Sequence, residues 1–544
     1  MPLRNRRRAP AGGRRHRNRA ARYEVDWARL APCLALVVIG LALLPGFRDH
    51  LTSDGVSYLS IAEHYAAGHV SEAVNAYWSP MFSWLMVPLV AVGVPGTLAA
   101  KLVSLGTAVG VLLATRRLSR TLGVGERALG LLSWGLVIPL VAAAYATVGP
   151  DLLVALPILL YADRLVAADG QGALRTGVVA GAFGAASYLT KLFALPFLLV
   201  HLLFAGVLLA RRHGAGAAVR TIGAATGVLA LGVAAWGSVL TVTYGHPTVG
   251  SAATTNLEFA TEGSRGAEPF WAGLIPPPHE HAVSAWEDLP RSLEQRETVA
   301  TDDTHTADDG GGWAPGGLVR QALDQSGQLA ATLAWWAPVV LLAVATPVAL
   351  YRLGPPRRRG RHVAARDPSG VVLLAVGAVV WTAGVAVTFV EARYLLAPLL
   401  LAAPLAALTL DAWRTAAPRS GLRDLLAVGL VVGLLPWAGS ELSREWRASD
   451  NVVRQAGELA SQVELEGARV ASQDSWIRSV GLCYAAGCHY YGMPAAATVD
   501  QFVDQLDRHD ISYLVAYRPL PDSFPFGDPV AVSADGRTAL YEVP

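Results

Sequence analysis

Residues 28–46 read ARLAPCLALVVIGLALLPG, and residues 47–59, directly after them, read FRDHLTSDGVSYL. The first stretch is close to the roughly 20 apolar residues that a membrane-spanning helix needs. The second stretch places the carboxylate of Asp54 just beyond that helix. The two stretches together predict a first membrane span followed by a loop that carries an ionisable side chain close to the membrane.

The rest of the 544-residue chain continues this pattern of apolar segments. Over the whole chain, hydrophobic residues make up 53% and charged residues 16%, whereas an ordinary soluble domain has about 25% charged residues. This composition argues against a cytosolic globular enzyme and against a disordered chain, and three cysteines exclude a disulfide scaffold. Eleven crossings are predicted, at 28–46, 98–115, 128–146, 152–167, 174–190, 193–210, 221–244, 331–351, 370–389, 394–410 and 425–439.

The positions of the arginines predict the orientation, because cytoplasmic loops retain positive charge. The first 22 residues hold nine Arg and no acid, which places the N-terminus inside. A basic flank beside an uncleaved signal anchor explains this tail without a nucleic-acid partner. Further Arg clusters place other connections inside, so the loops 47–80 and 245–330 and everything after Ser440 are predicted to lie outside. The segment 81–92 is too short to cross and is predicted to be a half-inserted or membrane-surface helix.

The predicted fold class is an all-α polytopic membrane protein with a small C-terminal extracytoplasmic α/β domain. Its parts are a basic cytoplasmic tail at 1–27, a transmembrane domain at 28–440 and the α/β domain at 441–544. Within the last part, 451–463 and 498–508 have helical periodicity, whereas 468–471, 511–517, 530–532 and 538–543 resemble strands. Cys483 and Cys488 would lie in an oxidising compartment, where a local disulfide is expected.

One motif in the second outer loop suggests a metal site, since His279-Glu280-His281 follows three prolines. Adjacent side chains on an irregular segment rarely converge on one ion. We therefore interpret the motif as part of a solvated surface and assign no metal ligands from the sequence.

Four ionisable residues are predicted at the outer ends of the spans: Asp54, Asp151, Lys191 and Arg393. Charge at membrane depth is costly and usually functional. Two carboxylates and two cations that reach one membrane face could hold an anionic head group beside a general base.

Each of the four also has a simpler interpretation. Asp151 follows a proline and could be an acid in the first turn of a helix, and Asp54 could be a loop or N-cap acid. Arg393 could pair with Glu391 or extend toward lipid phosphate. Lys191 could do the same, although Arg fills that role elsewhere in a chain that has only one other lysine.

Six motifs follow one another along the chain: Ser53-Asp54-Gly55-Val56-Ser57-Tyr58-Leu59, Trp78-Ser79-Pro80-Met81-Phe82-Ser83-Trp84-Leu85, Arg116-Arg117-Leu118, Gly149-Pro150-Asp151-Leu152, Leu189-Thr190-Lys191 and Arg393-Tyr394-Leu395-Leu396. In order and in placement they resemble the motifs of the GT-C membrane glycosyltransferases, and among them the protein O-mannosyltransferases and lipid A aminoarabinose transferases (glycosyltransferase family 39-like). The resemblance covers about the first 440 residues. No single motif is specific, so their order carries the resemblance.

The resemblance implies transfer of a sugar from a polyprenyl-phosphate carrier to a lipid, glycan or protein acceptor on the extracytoplasmic side of the plasma membrane. It implies that Asp54 is the base or an acceptor-binding group and that Asp151 is a second catalytic acid. Single-step attack would invert the anomeric centre. The substrate-binding residues are expected to be Lys191 and Arg393 beside the carrier phosphate, together with Tyr394, Tyr58 and Trp78.

The sequence departs from the family it resembles in two places that concern a metal. Gly55 stands where many members have a Glu after the first Asp. Members that bind a metal often have an acid just before a Pro-Pro step, but this chain has Ala76-Tyr77-Trp78-Ser79-Pro80 there, and Glu72 is out of register. A divalent cation, Mg²⁺ or Mn²⁺, is therefore an open question as a cofactor.

Two other functions are compatible with a polytopic chain. A transporter or flippase of a lipid-linked or anionic solute would also place charges in the membrane, but such proteins often show internal repeats, and none is found here. A membrane-anchored receptor would not explain why acids and cations gather at the ends of helices.

Overall fold

The computed structural model describes residues 27–261, 273–293, 322–323, 325–353, 368–416, 421–433, 435–449, 452–496, 498–521 and 524–544. The predicted basic tail lies outside the described residues except for Trp27. The helices of the first half are α1 (Trp27–Phe47), α2 (Ser53–Ala67), α3 (Val70–Ala73), α4 (Met81–Val90), α5 (Gly96–Thr121), α6 (Glu126–Ala146), α7 (Asp151–Val166), α8 (Ala173–Thr190), α9 (Ala194–His213), α10 (Ala215–Tyr244) and α11 (Ala252–Thr261).

The second half contains further helices and most of a sheet. Its helices are α12 (Ser326–Trp335), α13 (Ala337–Leu353), α14 (Ser369–Ala386), α15 (Leu396–Ala416), α16 (Gly421–Val432), α17 (Leu435–Ser449), α18 (Val452–Ala460), α19 (Trp476–Ala486) and α20 (Val499–Arg508). A 3₁₀ turn at Ala392–Leu395 leads directly into α15.

Within the described part of the chain, seven helical runs are long and apolar enough to cross a membrane: α1, α5, α6, α9, α10, α14 and the run Ala392–Ala416. They confirm the corresponding predicted spans. The last run is the most enclosed, with 94% of its apolar window buried, so it forms the centre of the bundle. Helices α7 and α8 coincide with two more predicted spans but do not reach the same length and apolarity, and the total of eleven crossings stays a prediction.

Two predicted spans differ from the observed helices, and a proline explains each difference. The segment 331–351 is divided into α12 and α13, which meet at an angle of 94°, because Pro338 cannot continue the preceding helix. The segment 425–439 is likewise not one helix. Helix α16 ends at Val432 and α17 begins at Leu435, since the ring of Pro436 would clash with a carbonyl of the preceding turn.

Short helices on the predicted outer side place the first candidate residue. Thr52 caps α2, because its hydroxyl oxygen accepts a hydrogen bond from the amide of Gly55 at 3.1 Å.

Helix α4 has ten residues and would span about 15 Å, half of the hydrocarbon core. It agrees with the predicted short helix at 81–92, and its depth in the membrane stays a prediction.

The C-terminal residues form the predicted α/β unit around a six-stranded sheet of order β1-β3-β2-β4-β6-β5. Strands β2, β3 and β4 are parallel neighbours, whereas β1, β6 and β5 add antiparallel edges. The strands are β1 (Gly273–Leu274), β2 (Arg469–Ser472), β3 (His489–Met493), β4 (Tyr513–Ala516), β5 (Ala531–Val532) and β6 (Ala539–Glu542).

Three features of this unit were not predicted. Helix α19 and strand β3 are absent from the sequence interpretation, and β1 comes from the second outer loop rather than from the tail. The outer segment 273–293 is therefore part of the sheet. Cys483 and Cys488 form a disulfide where α19 meets β3, which confirms the expected local pairing.

Candidate active site

Four different elements bring the four predicted ionisable residues to one place. Asp54 is the second residue of α2, and Asp151 is the first residue of α7. Lys191 directly follows the last residue of α8, and Arg393 lies in the 3₁₀ turn before α15. All four positions are helix ends, where a side chain can extend from a rigid element into the space between helices.

The four side chains form one connected ionic network. Arg393 Nη2 donates to Asp54 Oδ2 at 2.8 Å, and Lys191 Nζ donates to Asp151 Oδ1. Arg393 Nε also lies 3.9 Å from Asp151 Oδ2, which joins the two pairs. Arg393 contacts Glu391 at 2.6 Å as well. The alternative pairing of Arg393 with Glu391 is therefore present, but the arginine also contacts both acids of the site.

Tyr394 lies between the two cations. Lys191 Nζ is 3.9 Å from the centroid of its ring, and Arg393 Cζ is 5.0 Å away. Both distances fall within the range of cation–π attraction. Arg393 Nη2 also donates to the Tyr394 hydroxyl oxygen at 3.1 Å. The aromatic ring thus holds the ammonium and the guanidinium beside each other despite their like charge.

The network lines a cavity of about 320 Å³, which we call the smaller cavity. One wall carries the charged groups, and the rest is largely apolar, with Phe193, Pro196 and Trp381 among its residues. The structure brings every predicted site residue to this cavity: Asp54, Tyr58, Trp78, Asp151, Lys191, Arg393 and Tyr394. A charged end beside an apolar wall suits an amphiphilic ligand with an anionic head.

A second cavity of about 790 Å³, the larger cavity, lies on the other side of Asp54 and Arg393, which line both. Arg444 of α17 and Arg478 of α19 reach it from the tail. Sequence reasoning missed these two arginines, because nothing in their local pattern indicates that α17 and α19 fold back over the membrane helices.

Tyr58 and Trp78 form the aromatic support of the smaller cavity. Their rings meet edge to face with centroids 5.2 Å apart. Burial raises the pKa of Tyr58 well above its ordinary value, and the nearby carboxylates of Asp151 and Asp54 raise it further. The phenol therefore stays protonated and is available as a hydrogen-bond donor.

The charged wall of the smaller cavity does not suit Mg²⁺ or Mn²⁺. Such ions prefer carboxylate and other oxygen ligands, but Asp54 and Asp151 already face Arg393 within 4 Å, and Asp151 also pairs with Lys191. These cations would repel a divalent ion. We therefore derive no step through a metal at this cavity.

The interpretation of the His279-Glu280-His281 motif as solvated surface is wrong for His279. Its side chain is only 11% exposed, because it packs between α2 and the carboxylates of Glu72 and Glu287. Glu280 and His281 are exposed, as expected. The local pattern could not indicate this burial, because α2 and Glu72 are far from His279 in the sequence.

Sequence reasoning also left the second lysine without a role. Lys101 is fully buried in α5, where its ammonium donates to the Tyr145 carbonyl at 2.9 Å and lies 3.4 Å from His50 Nδ1. His50 pairs in turn with Glu445 at 2.7 Å. The sequence did offer a signal for this buried network, because Lys101 is a lysine within an apolar span of an arginine-rich chain.

Comparison with known proteins identifies the fold. No family model matches the chain, and no curated protein matches it. The solved structure of ArnT from Cupriavidus metallidurans in the apo state is 13% identical, with a TM-score of 0.56 over 95% of this chain and 98% of that one. The same protein bound to undecaprenyl phosphate is 12% identical, with a TM-score of 0.53 and the same coverage.

The archaeal oligosaccharyltransferase AglB from Archaeoglobus fulgidus, in complex with an inhibitory peptide and a dolichol-phosphate, is also similar. It is 10% identical, with a TM-score of 0.52 over 90% of this chain and 70% of that one. These neighbours are GT-C membrane glycosyltransferases. At such identities the likeness establishes the fold, and together with the apolar helices it establishes a multi-pass membrane protein.

Proposed function

We propose that this multi-pass membrane protein, which has the GT-C fold, is a glycosyltransferase that moves a sugar from a polyprenyl-phosphate carrier to an extracytoplasmic acceptor. One observation carries the proposal. Two cations and two carboxylates from four helix ends line one cavity, and the Asp54–Arg393 pair also lines a second one. Group transfer needs such a site for each substrate and a reacting group between them.

The smaller cavity is the proposed donor site. Its two cations, Lys191 and Arg393, suit the phosphate of a lipid carrier, since an anion in a low-dielectric site requires preorganised positive charge. Its apolar wall around Trp381 suits the first isoprene units. The structural neighbours support this assignment, because ArnT was solved with undecaprenyl phosphate and AglB with a dolichol-phosphate.

The larger cavity is the proposed acceptor site, and Asp54 is the proposed base. An acceptor hydroxyl would enter from that side, transfer its proton to Asp54 and form a bond from its oxygen to the anomeric carbon of the sugar. The bond between that carbon and the phosphate oxygen breaks, and its electron pair stays on the phosphate beside Lys191 and Arg393. One such displacement inverts the anomeric configuration.

Asp151 is proposed to position the cations rather than to take the proton. It is only 4% exposed, and it contacts Lys191 directly and Arg393 at 3.9 Å. A buried carboxylate between two cations keeps them at fixed positions and offsets their repulsion. This arrangement leaves Asp54, which is 22% exposed at the boundary of both cavities, as the more accessible acid.

The proposed orientation has the N-terminus in the cytoplasm and both cavities on the outer side of the plasma membrane. The arginine distribution and the disulfide of the C-terminal unit support it. A phosphatase reporter fused after Pro544 should be active if the C-terminus is outside, and an inactive phosphatase with a fluorescent cytoplasmic reporter would reverse the orientation.

The variant Asp54→Asn tests the base. General-base catalysis contributes roughly 10²- to 10⁴-fold, so we expect at least a hundredfold loss of transfer from undecaprenyl-phosphate-linked sugars, measured as release of undecaprenyl phosphate. Asp49→Asn is the matched control, since Asp49 lies on the same loop, is 47% exposed and pairs only locally with Arg48 among the contacts described. Equal activity of the two variants would remove Asp54 from the mechanism.

A further inference from the structure

A second cluster of ionisable side chains lies three turns along α2 from Asp54. It contains four imidazoles and two carboxylates from three parts of the chain: His64 of α2, His69 and Glu72 at α3, and His279, His281 and Glu287 of the outer segment 273–293. The cluster lines neither of the two cavities described above. Imidazole nitrogen together with carboxylate oxygen is one of the donor sets that bind zinc in proteins.

Three of these residues converge on one point. His64 Nε2 lies 2.6 Å from Glu287 Oε1, and His279 Nε2 lies 3.8 Å from the same oxygen. Ligand atoms of His64, His279 and Glu287 all lie within 4.8 Å of one another. Two ligands of a tetrahedral zinc ion are roughly 3.3 Å apart, given bonds of about 2.0 to 2.1 Å. The observed distances lie on both sides of that value, so small side-chain shifts would accommodate an ion.

His279 gives a second, independent indication. Both of its ring nitrogens are buried, and among the described residues neither has a hydrogen-bond partner. Nε2 faces Glu287, whereas Nδ1 lies 3.3 Å from Glu72 Oε2. A histidine that binds a metal through one nitrogen usually directs the other at a carboxylate. His279 has this arrangement, with Nδ1 directed at Glu72, and an ion would supply a partner for Nε2.

We propose that His64, His279 and Glu287 bind one zinc ion and that Glu72 orients His279 from behind. The site is reachable from solvent, because Glu72 is 27% exposed and the neighbouring His281 is 45% exposed. Imidazole ligands select zinc over the hard cations Mg²⁺ and Ca²⁺, which prefer oxygen.

The ion would connect the outer segment to the wall of the smaller cavity. Glu287 follows Trp286, whose carbonyl accepts a hydrogen bond from the Trp78 indole at 3.0 Å. The Trp78 and Trp286 rings are also in contact, with centroids 5.8 Å apart. Zinc held by His64 and Glu287 would thus fix α2 and the outer segment relative to each other and, with them, the position of Trp78.

Metal binding by the wild-type chain is the first test. The full-length protein in detergent is stripped with a chelator, dialysed against Zn²⁺ and analysed for metal content, and Co²⁺ is used as a spectroscopic substitute. We expect one zinc per chain, a rise in the unfolding temperature with added Zn²⁺ but not Mg²⁺, and the absorption of tetrahedral Co²⁺. A wild-type protein that binds neither ion contains only a hydrogen-bonded ion-pair cluster, which would overturn the proposal.

Variants then assign the ligands. Loss of an outer carboxylate typically costs about 10- to 100-fold in metal affinity, so Glu72→Gln should weaken zinc binding by that factor and His279→Ala by more. His246→Ala is the control, since His246 is exposed and lies outside the segment 273–293. Unchanged zinc affinity in His279→Ala and Glu287→Gln would contradict the assignment. These measurements do not depend on sugar transfer, so they stand or fall separately from the proposed function.

Discussion

Arg393 is the residue on which the candidate active site depends most, because it faces both acids. It lies 2.8 Å from Asp54 and 3.9 Å from Asp151. In the proposed mechanism it neutralises the base in the resting state and faces the leaving phosphate during transfer. Its position in the turn before α15, the most enclosed helix of the bundle, keeps that geometry fixed.

Lys191 is expected to be required for use of the lipid donor. Loss of one preorganised group that stabilises developing charge typically costs about 10² to 10³ in rate, so Lys191→Gln should lower kcat/KM for the lipid donor by about a hundredfold, whereas Lys191→Arg should retain part of it. The measurement is the initial rate over a range of donor concentrations.

The control for this prediction is Arg175→Gln. Arg175 is an exposed cation at the opposite end of the same helix α8, so its loss should leave the donor dependence unchanged. If Lys191→Gln also leaves the donor dependence unchanged, Lys191 has no role at the carrier phosphate.

The sequence predicted single site residues where a charged side chain stands at the end of an apolar span. A charge at the end of an apolar span is visible without a structure, and this identified Asp54, Asp151, Lys191 and Arg393. His64 and Glu287 were not identified, because they lie more than 200 positions apart and neither stands out within its own segment. Long-range pairing of ordinary polar residues leaves no local signal.

Among the helices, α8 and α10 pack with their backbones in close contact. A Cβ at Gly181 would lie 2.5 Å from the Ala225 carbonyl oxygen, and one at Gly177 would lie 2.2 Å from the Thr221 carbonyl oxygen. Small residues at such positions let helix backbones meet in a membrane. The packing matters for the site because Lys191 follows the last residue of α8.

Gly181→Ala should therefore destabilise the protein although alanine favours helices. The added methyl group meets backbone, which cannot move aside as a flexible side chain can, and overpacking typically costs about 1 to 3 kcal/mol. Gly227→Ala in α10 is the control, since a Cβ there meets nothing within 4 Å. Thermal unfolding in detergent should show a lower midpoint for Gly181→Ala only, and equal midpoints would contradict the packing described.

Helix boundaries were predictable where apolar length alone decides them, and less so at prolines. The predicted spans 331–351 and 425–439 treated an apolar run as one helix, but Pro338 and Pro436 divide them. Helix α19 was missed because five consecutive residues, 479–483, are buried, and such a run lacks the apolar period of an amphipathic helix. Composition predicts what is apolar but not which partner covers it.

In the molecule as a whole, the segments predicted to lie outside pack against each other and against the membrane helices. Strand β1 of the second outer loop pairs with β3 of the tail, and α17 and α19 contribute arginines to the larger cavity. The sequence predicted the membrane bundle and the presence of an outer α/β unit. It could not predict their joint cavity, because that depends on how separately predictable parts pack together.

Group transfer, rather than transport, is the central claim, and a reconstituted reaction tests it most directly. The purified protein in lipid vesicles is supplied with undecaprenyl-phosphate-linked sugars and a cell-envelope acceptor fraction, and both lipid products and glycans are measured by mass spectrometry. The account predicts free undecaprenyl phosphate in amounts equal to the sugar gained by the acceptor. Passage of intact lipid-linked sugar across the bilayer, with no cleavage of the bond between sugar and phosphate, would contradict it.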